Sequence, residues 1–158
     1  MTVFELTQLP DVWQEKWQAA GYHAPSLIQE KTFGSLKDGA SVIGISPTGS
    51  GKTLAYLLPL LTKVEKKQGN QLLILTSSQE LAMQVTEVAR EWGQAIGLTV
   101  LPLIGGASTK RQVEKLKDKP EVLIGTPGRV LELIKAKKIK TQQLQSLVLD
   151  EVDQLLKE

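Results

Sequence analysis

The sequence predicts an α/β domain, a mostly parallel sheet of about five strands flanked by helices. Short, nearly continuous apolar runs alternate with amphipathic segments along the chain. A glycine-rich turn, Ser46-Pro47-Thr48-Gly49-Ser50-Gly51-Lys52-Thr53, joins the first apolar run to a helical pattern. The last apolar run ends on two carboxylates, Asp150 and Glu151. Short buried strands separated by helices require parallel pairing with both faces of the sheet covered.

Asp11 to Ala20 has a helical pattern that Gly21 stops, and Ser26 to Lys37 is a second helix. Gly39 turns the chain into the first expected strand, Ser41 to Ile45, which feeds the glycine-rich turn. The helix expected from Lys52 to Lys67 contains Pro59, which should bend it. Further strands are expected at Gln71 to Thr76, Leu98 to Ile104, Glu121 to Gly125 and Ser146 to Asp150. Helices are expected between them at Gln79 to Ile96, Thr109 to Lys117 and Arg129 to Lys137. No internal repeat, linker or low-complexity stretch interrupts the series.

Composition excludes more than it assigns. The 158 residues suit one domain, and 41% hydrophobic residues can bury a core. The formal net charge is +2 and the pI about 8.8, a mild basicity that solvated lysines explain as well as nucleic acid does. With no cysteine, disulfides and thiolate metal sites are excluded, and the single His23 cannot make a zinc site. Met1 to Pro10 has no basic stretch followed by an apolar run, and the longest apolar stretch, Leu54 to Leu61, is too short to span a bilayer. A cytoplasmic protein without a membrane partner is expected.

The glycine-rich turn has the chemistry of a polyphosphate cradle. Glycines let backbone N–H groups face an anion, and the helix that follows offers its positive N-terminal end to the same charge. Lys52 would reach the β- and γ-phosphates and Thr53 would ligate Mg²⁺, with Thr48, Gly49, Ser50 and Gly51 supplying backbone donors. The generic pattern wants glycine where Ser46 stands, so its C-terminal half carries the match. The carboxylates after the last strand complete such a site: Asp150 holds the ion through its water shell, and Glu151 orients or deprotonates the attacking water. Alone they would read as acidic residues favouring a helix N-terminus, and it is the upstream loop that makes the catalytic reading the better one.

Several residue sets together resemble one family, the DEAD-box ATP-dependent RNA helicases, in their N-terminal RecA-like domain. Gly21-Tyr22-His23-Ala24-Pro25-Ser26-Leu27-Ile28-Gln29 is similar to the family's Q motif, with the isolated aromatic Phe4 seventeen residues upstream of Gly21. Ser46 to Thr53 is similar to motif I, which in this family starts with alanine or serine. Glu80-Leu81-Ala82 and Gln84 match the second half of motif Ia, Gly105-Gly106 the double-glycine element, Thr126-Pro127-Gly128-Arg129 motif Ib, and Asp150 to Asp153 motif II. The resemblance covers essentially the whole chain, in order and in approximate spacing.

It implies an ATP-binding domain over residues 1–158, with the Q motif in 1–40 and the P-loop core through motif II in 41–158. Gln29 would pair with the adenine N6 and N7 edge and reject guanine, making ATP with Mg²⁺ the cofactor. Tyr22 would pack on the adenine, Phe4 would buttress the Gln29 segment, and Ser26 would join the nucleotide site. Simple core packing is an equally good reading of the two aromatics. Gln79, Gly105, Gly106, Thr126, Pro127, Gly128 and Arg129 would meet the backbone of single-stranded or duplex RNA without sequence preference. Asp153 would couple the motifs to a second domain. The basic clusters Lys110, Arg111, Lys115, Lys117 and Lys135, Lys137, Lys138, Lys140 read as solvated faces.

The chain departs from the family pattern in motif Ia, where Ser77-Ser78-Gln79 replace Pro-Thr-Arg, and at Pro47 and Val152, where glutamine and alanine are usual. Losing the arginine removes a charge-assisted phosphate contact of about 1.5 to 3 kcal/mol. The family's first domain continues into a strand with a Ser-Ala-Thr motif that lies between the motif I and motif II strands, and then into a second RecA-like domain. A truncated chain is therefore expected, with a gap in its sheet that closes by rearrangement or by pairing with another chain. Without the second domain's arginines it should bind ATP weakly and turn it over slowly or not at all. Two other classes stay open: a related ATPase acting on DNA or protein, which would lack a glutamine at position 29, and a non-catalytic adenine-nucleotide or RNA-binding module.

Overall fold

The structure, a computed structural model, describes residues 6–22, 24–47, 51–105 and 108–156. It divides into two compact units, Met1–Lys63 and Val64–Glu158.

In the first unit a 3₁₀ turn (Leu6–Gln8) precedes helix α1 (Asp11–Ala19). Trp13 and Trp17, one turn apart, form its buried stripe. Gly21 ends it as the sequence predicts: at φ 77° its N–H donates to the Gln18 carbonyl (3.0 Å), and the next N–H, of Tyr22, reaches back to Trp17 (3.2 Å). Helix α2 (Leu27–Lys37) follows Ser26 at its N-cap position and stops before Gly39, at φ 88°. It packs against α3 (Lys52–Thr62), which carries Pro59 inside it.

Two expectations fail in this stretch. Ser41 to Ile45 forms no strand: residues 41–47 have neither helix nor sheet pairing, and Ile43 and Ile45 are each 89% exposed. An apolar run becomes a strand only when a neighbouring strand takes its backbone donors and acceptors, and no described strand pairs with residues 41–45. Helix α3 also stops at Thr62, short of Lys67. Thr62 Oγ1 donates to the Pro59 carbonyl (2.6 Å). Beyond it, the N–H groups of Glu65 and Lys67 are taken by Gln71 Oε1 (2.9 Å) and Glu121 Oε1 (3.0 Å). Side-chain acceptors replace the carbonyls that would have extended the helix.

The second unit is the sheet. Strands β1 (Leu72–Leu75), β2 (Val100–Leu103), β3 (Val122–Gly125) and β4 (Ser146–Leu149) lie in the order β2-β3-β1-β4, all parallel. Leu72 pairs with Val122 on one side and Ser146 on the other. Helices α4 (Gln79–Ala95), α5 (Thr109–Leu116) and α6 (Pro127–Lys135) make the crossovers, and the short α7 (Val152–Leu155) follows β4. Four strands stand where about five were expected.

Leu73, Leu101, Leu103, Leu116, Leu123, Val130, Leu133 and Ile139 form one buried cluster. β3 is buried at every position. β4 alternates partly buried and exposed residues, with Leu147 61% exposed. It pairs with β1 alone among the described strands. At Gly125 an added Cβ would fall on the Leu103 carbonyl oxygen and the Val130 side chain, so only glycine lets β3 lie this close to its neighbours.

At the amino ends of the strands the buried Glu121 acts as a clasp, its two carboxylate oxygens accepting from Lys67 N (3.0 Å) and Thr99 N (2.8 Å). Glu121→Ala strands both donors and is expected to cost about 2 to 4 kcal/mol, while Glu121→Gln, which keeps one acceptor oxygen, costs less. Urea unfolding measures both, and an alanine variant as stable as wild type would refute the clasp.

Candidate functional site

The nucleotide side of the prediction falls in the first unit, where Ser26, Gln29 and Gly51 converge. The Ser26 amide N–H donates to Gln29 Oε1 (2.9 Å), and Gln29 Nε2 donates to the Gly51 carbonyl (3.2 Å). The sequence suggested only an adenine reader. The structure adds a second task, because Gln29, 6% exposed, ties the start of α2 to the residue that opens α3. Its amide has two N–H donors and two acceptor lone pairs, so these two bonds use half its capacity.

Gly51 is in the left-handed region at φ 83°. A Cβ there would lie 2.6 Å from Gln29 Nε2 and 3.2 Å from Ser26 Oγ. Ser26 Oγ is buried at the N-cap of α2, opposite the Gln29 backbone N–H in a capping box, and makes no hydrogen bond of ordinary geometry among the described residues. A buried hydroxyl whose nearest partner is the capping amide, an amide with spare donor and acceptor capacity among the described residues, and a bare Cα beside both leave room for a polar, flat ligand such as a purine edge.

Lys52 and Thr53 are the first residues of α3, both partly buried, where the helix presents free N–H groups. Tyr22 is 46% exposed and meets Trp17 edge-on, with centroids 5.0 Å apart, so its ring is not core. Phe4, His23, Thr48, Gly49, Ser50 and Gly106 lie outside the described residues.

In the second unit every remaining motif sits at the carboxyl end of a strand, the edge where open parallel sheets bind ligands. Asp150 follows β4 and its N–H donates to the Leu75 carbonyl (2.9 Å). Glu151 holds a left-handed backbone, φ 52° and ψ 54°, rare for a residue with a side chain. Its Oε2 accepts from Ser77 Oγ (3.4 Å), a residue from the altered part of motif Ia. Val152 and Asp153 open α7, both exposed. Among the described residues no group of three or more His, Cys, Asp or Glu is arranged so that it could hold a metal ion.

Gln79 is the exposed first residue of α4, after Ser78, whose Oγ accepts from Leu81 N (3.1 Å). Gln79 Nε2 lies 3.0 Å from where a Cβ on Gly105 would stand, so the residue replacing the family arginine borders the double-glycine loop. Thr126 is the N-cap residue of α6 and Pro127 fills its first position, two residues ahead of the start expected at Arg129. Gly128 is exposed. Arg129 is more enclosed than a phosphate ligand on the surface would be, with its side chain 13% exposed. Its Nε pairs with Glu132 (3.2 Å) and its Nη1 donates to Gln112 Oε1 (2.9 Å). Gln112 is absent from the motif reading. The available signal was its place one turn before Leu116 on the buried stripe of α5, where a polar side chain needs a partner.

The fold, a RecA-like α/β domain, is shared with a solved structure. The crystal structure of a DEAD box protein from the hyperthermophile Methanococcus jannaschii superposes with a TM-score of 0.86 at 27% identity, covering 95% of this chain and 41% of that one. The sequence profile of the DEAD/DEAH box helicase family matches residues 26–158, and the chain belongs to that family. It is 49% identical over 144 residues to the probable ATP-dependent RNA helicase YfmL of Bacillus subtilis, covering 90% of this chain and 38% of that protein. It is 46% identical over 147 residues to the DEAD-box ATP-dependent RNA helicase CshC of Bacillus cereus, covering 92% and 38%. The chain thus spans about two fifths of the length of these relatives. No described helix is long and apolar enough to cross a membrane.

Proposed function

We propose that this chain is the ATP-binding part of a DEAD-box RNA helicase, which couples ATP binding and hydrolysis to RNA binding and local unwinding of duplexes in the cytoplasm. Residues 1–158 would be its N-terminal RecA-like domain, with the Q motif in 1–40 and the P-loop core in 41–158. A second RecA-like domain would supply the arginines of the transition state. The observation that carries the reading is the Gln29 bridge, since the segment suited to read adenine is hydrogen-bonded to the glycine that opens the phosphate-binding helix.

Each residue then has a physical task. Gln29 offers its remaining N–H and lone pair to the purine edge, and Ser26 Oγ gains a partner there. Tyr22 gives an aromatic surface from outside the core. Lys52 and the first N–H groups of α3 would neutralise phosphate charge, Thr53 would ligate Mg²⁺, and Asp150 would hold the ion largely through water. When bound, Mg²⁺-ATP supplies the phosphoanhydride bond whose cleavage drives the cycle. Glu151 takes the proton of the attacking water, and Asp153 couples the motifs to the second domain. Gln79, Gly105, Gly106 and Thr126 to Arg129 meet RNA phosphates without reading bases.

Calorimetry with Mg²⁺-ATP and Mg²⁺-GTP on the chain and on Lys52→Ala and Gln29→Ala tests the nucleotide site. Adenine-selective binding is expected, lost in Lys52→Ala and made unselective in Gln29→Ala. Equal affinity of the unmodified chain for both nucleotides would sink the adenine reader.

A further inference from the structure

We propose that Gln112 is a positioning residue for RNA binding, joining the chain at the end of β2, Ile104-Gly105, to Arg129 in the first turn of α6. The inference rests on the RNA-helicase reading and adds a residue outside the motifs. Gln112 is 5% exposed, and its amide makes two bonds to two different segments. Nε2 donates to the carbonyl of Ile104, the residue before Gly105-Gly106 (2.9 Å). Oε1 accepts from Arg129 Nη1 (2.9 Å). A carbonyl can only accept and a guanidinium can only donate, so the two partners fix the amide in one orientation.

The consequence is geometric. Ile104 continues β2 and Arg129 lies in the first turn of α6 after β3. Gln112 is held in place by its burial beside Leu116. Thr126 N also donates to the Leu103 carbonyl (3.3 Å), so the two segments are already adjacent at their backbones. Gln112 and Arg129 add the side-chain strut that sets their spacing. Glu132 balances the guanidinium charge within the same turn. A phosphate chain read by backbone N–H groups from two loops needs those loops at a fixed separation, because a misplacement of about 1 Å already weakens such contacts strongly.

The test uses a full-length protein carrying this chain and the anisotropy of a short fluorescein-labelled oligouridylate in the presence of a non-hydrolysable Mg²⁺-ATP analogue. The set is wild type, Gln112→Leu, Arg129→Ala and the double variant, each with its thermal melt. Gln112→Leu is expected to weaken RNA binding about tenfold or more. It should add little once Arg129 is alanine, because the strut is already gone. Wild-type affinity in Gln112→Leu, or losses that simply add in the double variant, would overturn the positioning role. No RNA binding by wild type would overturn the helicase reading and this inference with it. If Gln112→Leu melts early, Gln112→Glu decides the matter: a carboxylate keeps an acceptor for Arg129 but cannot donate to Ile104. Severalfold weaker RNA binding supports the strut, and binding equal to wild type removes it.

Discussion

Glu151→Gln, in a full-length protein carrying this chain, is expected to lower RNA-stimulated ATP turnover by about 10²- to 10⁴-fold, the usual contribution of a positioned general base. Glutamine has the same shape and cannot take a proton from water. Among the described residues Glu151 shares a left-handed backbone with Lys67, Lys119 and Lys137, and what sets it apart is its place at the carboxyl end of β4. A left-handed conformation at a residue with a Cβ costs about 1 to 2 kcal/mol, and Glu151 adopts it directly between Asp150 and the turn of α7. Its carboxylate is exposed rather than buried in an ion pair, and its Oε2 accepts from the Ser77 hydroxyl at 3.4 Å. A steady-state phosphate-release assay with and without RNA reads the outcome. Turnover within threefold of wild type would remove Glu151 from the role of base, and turnover indifferent to RNA would remove the helicase reading.

Gly51→Ala should abolish measurable Mg²⁺-ATP binding, for two independent reasons. Alanine pays about 1 to 2 kcal/mol for the left-handed backbone that Gly51 uses at φ 83°. Its methyl group would also stand 2.6 Å from Gln29 Nε2, so the amide must leave the Gly51 carbonyl. The Gln29 bridge and the entry into α3 are lost together, and Lys52 and Thr53 are the next two residues. Calorimetry reads the loss, with circular dichroism to show that the helices persist. ATP binding that survived at wild-type strength would mean that the bridge is not part of the nucleotide site.

The strands and crossover helices of the second unit were legible because each rests on local pattern. β1, β3 and β4 are apolar runs flanked by polar residues, and the helices between them begin at Ser78, Ser108 and Thr126, residues that suit an N-cap position. The motifs were legible because glycine, lysine and paired carboxylates have few other uses in that order. Gln112 was not, since one glutamine in a basic helix carries no signal until Ile104 and Arg129 are seen on either side of it. Nor was the enclosure of Arg129, which looked like a surface ligand from its place in motif Ib.

The sequence by itself determined the α/β class, the order of the elements after residue 51 and the family, because periodicity and residue type are local properties. Tertiary structure alone decided that residues 41–45 take no place in the sheet, that α3 ends at Thr62, and that Gln29 bonds to Gly51. Each of those outcomes turns on which group satisfies a backbone or amide hydrogen bond, and that partner lies elsewhere in the chain.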